Sequence, residues 1–171
     1  MSGFFGCVSR KECVADVFYG TDYHSHLGTK KAGMAFYNGN EFVRSIHSIE
    51  SAYFRNKFEP ELERFIGSNL GIGVISDMES QPITVTSHLG RFAVVTVGRI
   101  DNLQEITDQL LDEKIHFAEM SGSLINPTEV VSILINKGET FKEGIENVYR
   151  TVKGSCSFLV LTDSCVYAAR D

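Results

Sequence analysis

Phe4, Gly6 and Val8 fall on one side of an extended chain, and Phe5, Cys7 and Ser9 on the other. Both sides are mostly apolar. Residues 3–8 therefore predict a strand internal to the fold, lying between two layers and starting almost at the first residue. Position 2 is then held rigidly. Helical spacing follows: apolar residues at 14, 17 and 18 and an aromatic at 23 predict a helix within 12–28, loosened at Gly20 and stopped at Gly28. AGMAFY at 32–37 and EFVRSIH at 41–47 read as two strands joined by the tight turn NGN. Phe54, Phe58, Leu62 and Phe65 return to helical spacing, with Pro60 splitting the segment in two or starting its second half.

Strands are predicted at 69–76, 83–87 and 91–100, the last almost continuously apolar from 92 to 97, as a sandwiched strand should be. Glycines 71 and 73 in the first of these permit close approach of backbone or ligand, or mark a bulge. Leu103, Ile106 and Leu110 form one stripe of a helix over 101–114, and 115–125 reads as irregular. Asn126, Pro127 and Glu129 give the signature of a helix start, and Gly138 closes that helix. A helix over 141–154 and strands at 155–161 and 165–170, around a Thr162-Asp163-Ser164 turn, complete the chain. Strands cluster at both ends and in the middle, with long helices between them. This order predicts a single α+β domain of stacked antiparallel sheets with helices outside.

Charge and composition narrow the function. Lys plus Arg is 16 against 22 Asp plus Glu, a formal net charge of -6, and no basic patch of the kind a phosphate backbone needs is present, so nucleic acid is not expected as a partner. No apolar run approaches the roughly 20 residues that cross a bilayer, and no signal peptide opens the chain. A cytoplasmic protein is expected, with no membrane partner. The cysteines at 7, 13, 156 and 165 form no paired motif and read as reduced thiols. His24 and His26 are the only histidine cluster, and they lack the acidic or thiol partners of a metal site. Dinucleotide and P-loop signatures are absent, and GSCSF at 154–158 lacks the fifth-position glycine of a nucleophile elbow.

Six segments, in order along the chain, carry a resemblance. SGFFGCV at 2–8 resembles the CGIFGIV start of class II glutamine amidotransferases, and LGTKKAGMAFY at 27–37 resembles HRGQESAGI. LGIGVIS followed by SQPI is similar to GIGHTRYST followed by AQPF, and GRFAVVTVGRIDNLQEI at 90–106 to a strand ending in HNGNI. NPTEVVSILI at 126–135 looks like SDTEVI and its helix, and GSCSFLVLTDSCVYAARD at 154–171 like GAYSLVLLT with its partner strand ending in ARD. Within the group the chain looks most like the N-terminal domain of amidophosphoribosyltransferase, the first enzyme of purine synthesis.

The resemblance implies an N-terminal-nucleophile hydrolase fold, a four-layer αββα sandwich. It implies no cofactor and no metal, glutamine or another small amide as substrate, and a homo-oligomer. It also implies that residues 1–171 continue into a further strand and a covalently linked phosphoribosyltransferase domain. In the family the initiator Met is removed, and the first Cys serves as nucleophile while its free amine acts as base. The nucleophile position here is Ser2, a weaker nucleophile. The oxyanion-hole Asn-Gly pair becomes Val97-Gly98, so a backbone N–H at Gly98 is kept and an amide donor is lost. The Arg that clamps the glutamine carboxylate falls at Ser76, the Asp that receives its ammonium becomes Asn126 or Pro127, and the Arg-Gly after the first helix is Leu27-Gly28. Arg99 shares Val97's face by alternation and is the nearest replacement cation, although a solvated surface arginine is the simpler reading. On these residues a non-catalytic amidotransferase-like module is favoured. A working glutaminase half-site and an N-terminal-nucleophile hydrolase of another amide are the alternatives.

Overall fold

The computed structural model describes residues 2–27, 30–121 and 124–170. Strand β1 (Gly3–Val8) leads into helix α1 (Val14–Asp22), which packs Val14, Val17 and Phe18 inward and ends in a 3-10 turn over Ser25–Leu27. The expected stop at Gly28 lies outside the described residues. β2 (Lys31–Tyr37) and β3 (Phe42–Ser48) form the hairpin, and Asn38 accepts from the Asn40 and Glu41 amides in its turn. Pro60 divides the next segment into α2 (Phe54–Phe58) and a 3-10 stretch over Glu59–Phe65, as a residue without an N–H does when it enters a helical run.

β4 (Leu70–Ser76), β5 (Ile83–Ser87) and β6 (Gly90–Ile100) precede α3 (Leu103–Asp112). A short hairpin, β7 (Met120–Ser121) and β8 (Leu124–Ile125), falls in the segment read as irregular. α4 (Pro127–Asn136), α5 (Phe141–Thr151), β9 (Gly154–Leu161) and β10 (Val166–Ala169) follow.

Two four-stranded sheets result, ordered β1-β4-β2-β3 and β10-β9-β6-β5, with every pairing antiparallel. Alternation along the strands builds three layers of core. Ala93, Val95, Leu159 and Leu161 meet Ala35, Ile72 and Val74 between the sheets. Phe92, Val94, Phe158 and Val160 turn the other way, onto α3, α4 and α5. Met34, Phe36 and Ile75 face α1 and α2, where Phe54 and Phe58 stack at 4.5 Å. The architecture is α+β, two stacked antiparallel sheets with helices on both outsides.

One expectation is corrected. β1 is covered above and below, with Phe4 against the inter-sheet core and Phe5 and Cys7 against α1, yet it sits at the edge of its sheet. Apolar residues on both faces report layers above and below, and carry no information about neighbours alongside.

Candidate active site

The position of Ser2 is set by what holds β1. Phe4 turns into the inter-sheet core, and by alternation Ser2 shares its face. The opposite face is clamped by α1 and the turn after it. A β-carbon on Gly3 would come within 2.7 Å of the His24 ring, so the imidazole packs closely against the strand one residue from Ser2. The pair His24 and His26 therefore packs at the end of α1, and His26 bonds the Tyr23 carbonyl. Antiparallel pairing with β4, from Gly3 opposite Ile75 to Val8 opposite Leu70, fixes the strand along its length.

Across from Ser2, β6 arrives at Gly98 with φ +135, a region that disfavours any side chain, and a β-carbon there would run into the Ser155 carbonyl of β9. Ser2, Val97, Gly98 and Arg99 line one cleft of 210 Å³, with Asp77, Glu79 and Pro127 among its other walls. Gln81 and Thr96, also on its wall, belong to a hydrogen-bonded polar layer. The Gln81 side chain accepts from the Thr96 N–H at 2.7 Å and donates to the Thr96 carbonyl at 3.1 Å. The Thr96 and Thr128 hydroxyls share a 2.6 Å hydrogen bond.

The other expected site residues are committed elsewhere. Ser76 is buried and donates to the Glu79 carbonyl at 2.6 Å, closing the tight turn that follows β4. Asn126 is fully buried; its oxygen caps α4 by accepting from the Thr128 N–H at 3.0 Å, and its amide donates to the Ser80 carbonyl at 2.8 Å. Arg99 lies on the cleft rim with its side chain 88% exposed and its guanidinium on Asp101 at 2.8 Å. Leu27 and Gly28, the counterparts of the family's Arg-Gly, lie outside the side chains described. The structure thus brings Ser2, Val97, Gly98 and Arg99 together and leaves Ser76 and Asn126 behind the wall.

Sequence reasoning did not place Glu79, Gln81, Thr96, Ile100 and Cys156 at the cleft. Gln81 was visible inside the SQPI match, but nothing in its spacing said that its amide would bridge to β6. Among the described residues no group of three or more His, Cys, Asp or Glu side chains converges as a metal site, and no helix is long and apolar enough to cross a membrane.

A serine immediately ahead of the first strand, a glycine held at positive φ across from it, and two stacked antiparallel sheets define a class of protein. The chain belongs to the glutamine amidotransferase domain family, whose model matches residues 68–171, and within it is related to the N-terminal domain of amidophosphoribosyltransferase. An amidophosphoribosyltransferase of Methanothermobacter thermautotrophicus is 25% identical over 183 residues, covering 99% of this chain and 36% of that protein. The glutamine phosphoribosylpyrophosphate amidotransferase of B. subtilis, solved with ADP and GMP, superposes with a TM-score of 0.85 at 22% identity, over all of this chain and 37% of its own. A glutamine aminotransferase class-II domain protein from Silicibacter pomeroyi gives a TM-score of 0.57 at 14% identity, over 99% of this chain and 76% of its own. The chain thus spans a little over a third of the first two relatives.

Proposed function

We propose that this chain is the amidotransferase-like module of an amidophosphoribosyltransferase-like protein, and that its own glutaminase activity is impaired or lost. Amide hydrolysis at the cleft would require Ser2 Oγ to attack the amide carbon while a free terminal amine takes its proton. Ammonia would leave, and water would then cleave the ester. A retained Met1 turns the Ser2 amine into an amide and removes the base.

The observation that carries the reading is the commitment of polar groups around Ser2. Arg99 is tied to Asp101, Ser76 to the Glu79 carbonyl, and Asn126 to its helix cap. Val97 offers no side-chain donor beside Gly98. A glutamine carboxylate and ammonium would lose charge-assisted bonds about twice as strong as neutral ones. In this reading the module folds with, dimerises or regulates a linked phosphoribosyltransferase domain in a cytoplasmic purine-synthesis enzyme, and ammonia comes from elsewhere. A second reading, hydrolysis of a different amide, is favoured by Asp77 and Glu79 on the cleft wall, which suit a substrate carrying no carboxylate.

The test is ammonia release from glutamine by full-length protein whose N-terminus has been sequenced as Ser2. Turnover at or below about 1% of an ordinary amidotransferase is expected, since one missing oxyanion donor alone costs a hundredfold or more. Turnover within about tenfold of an ordinary enzyme overturns the reading. Release of ammonia from uncharged or cationic amides alone would favour the second one.

A further inference from the structure

On the flank where β3 and β5 form the sheet edges, far from Ser2, the inter-sheet space opens into a groove of 200 Å³. Its walls include Phe42 and Arg44 of β3, Thr84 and Thr86 of β5, and Arg91 of β6. Arg91 lies seven residues before Gly98 on β6, about 23 Å along an extended strand, so this groove and the Ser2 cleft are separate.

The placement of these side chains follows from the register. Arg44 pairs with Ala35, which faces the inter-sheet core, and Thr84 and Thr86 pair with Ala93 and Arg91. All therefore turn toward the gap between the sheets. Arg44 reaches across it: its Nη1 donates to the Pro82 carbonyl at 3.0 Å, just ahead of β5, and stands 3.7 Å from Glu119. That single nitrogen makes both contacts, leaving the rest of a five-donor fork uncommitted. Arg91 is exposed and has no hydrogen-bond or ion-pair partner among the described residues, nor do the hydroxyls of Thr84 and Thr86. Glu41 lies in an adjoining hollow with Arg64, and Glu129 in a second one with Glu119, where its carboxylate is taken by the Ala118 and Glu119 amides. In a chain of net charge -6, two cations and two hydroxyl donors meet in this groove, with Glu119 3.7 Å from Arg44.

We infer that this groove binds a phosphate group, inorganic or carried as a phosphomonoester, with Arg44 and Arg91 on its oxygens and Thr84 and Thr86 donating to them. The chemistry is that of arginine forks and hydroxyls gathered on one oxyanion. Phe42 supplies an aromatic wall for the carrier of an ester. The competing account is edge protection, in which Arg44 and Arg91 merely keep β3 and β5 from pairing with another chain.

The experiment is a titration of the isotope-labelled chain, followed by amide resonances, with inorganic phosphate, phenyl phosphate and acetate at constant ionic strength. Saturable shifts at Thr84, Thr86 and Arg91 are expected with phosphate, with a dissociation constant on the order of 1 mM. Arg91→Ala, a change at an exposed side chain without partners, should weaken binding at least about tenfold, while Ser2→Ala leaves it unchanged. Tighter binding of phenyl phosphate than of inorganic phosphate assigns the site to an ester; equal binding assigns it to the free ion. Shifts that stay linear, that survive Arg91→Ala, or that acetate matches overturn the proposal. Self-association of Arg91→Ala without any phosphate effect would establish edge protection instead.

Discussion

Gly98 is the residue on which the cleft geometry turns. At φ +135, with the Ser155 carbonyl where a β-carbon would go, it pays both a backbone and a steric penalty on substitution. Gly90 has φ +93 and open space around it. Gly98→Ala is expected to destabilise by about 3 kcal/mol or more, and Gly90→Ala by only about 1 kcal/mol. Denaturant unfolding of the two variants measures the difference, and equal losses would contradict the close β6–β9 approach. The cysteines give a second prediction at this scale. None of the four is in a disulfide; Cys13 and Cys156 are buried, and Cys7 and Cys165 partly so. Burial, reinforced by the neighbouring Cys7, pushes the Cys13 thiol up to about 12. Alkylation at about pH 8 should therefore label Cys13 far more slowly than Cys165, with mass spectrometry reading each site. Comparable rates would mean that the α1 layer opens readily.

At the scale of elements, the helices and strands tie to one another through a few polar side chains. Asn126 joins α4 to the turn after β4, so Asn126→Ala is expected to cost about 2 kcal/mol: a cap and a buried hydrogen bond are lost together. A melting temperature within experimental error of the parent would contradict that role. Glu61, on the 3-10 stretch, ties it to β3 by accepting from Ser45 and pairing with His47 at 3.1 Å. Burial raises its pKa, but the Ser45 and His47 hydrogen bonds, with the charges of His47 and Arg64, outweigh this and leave it below the ordinary 4.5. A carboxylate lowered on folding contributes stability that is present above its unfolded value and lost as pH falls through its folded value. The destabilisation by Glu61→Gln, about 1 kcal/mol at neutral pH, should therefore shrink below pH 4.5. A loss independent of pH would contradict it.

The same elements show what the sequence made legible. Order, type and approximate extent of the main strands and helices followed from alternation, helical spacing and turn residues, because burial imposes those periods directly. The Asn126-Pro127 start was readable for the same local reason. The role of Glu129 was not: its place three residues after the cap marks a helix start, but its carboxylate accepts the Ala118 and Glu119 amides at 2.8 and 3.0 Å. Those amides come from the segment read as irregular, whose shape depends on a tertiary partner. The edge position of β1 was equally hidden, since lateral pairing is a long-range fact. In the cleft, Val97 and Gly98 lie inside β6 and Ser2 immediately precedes β1, so local pattern and motif order located them. The Arg99–Asp101 pair and the Gln81 bridge depend on rotamers and a turn that spacing alone does not specify.

For the whole molecule, the family and fold are those of class II glutamine amidotransferases, and the chemistry of this member turns on whether the cleft can hold glutamine. The carboxylate and ammonium of that amino acid need opposite charges held still. The nearest guanidinium, Arg99, points into solvent and onto Asp101. Calorimetric titration of glutamine into the protein, in parent and Ser2→Cys forms with sequenced N-termini, tests this most directly. The account predicts no saturable binding to either form below about 10 mM, because changing the nucleophile restores none of the missing charges. A dissociation constant of about 1 mM or tighter in either form would contradict it.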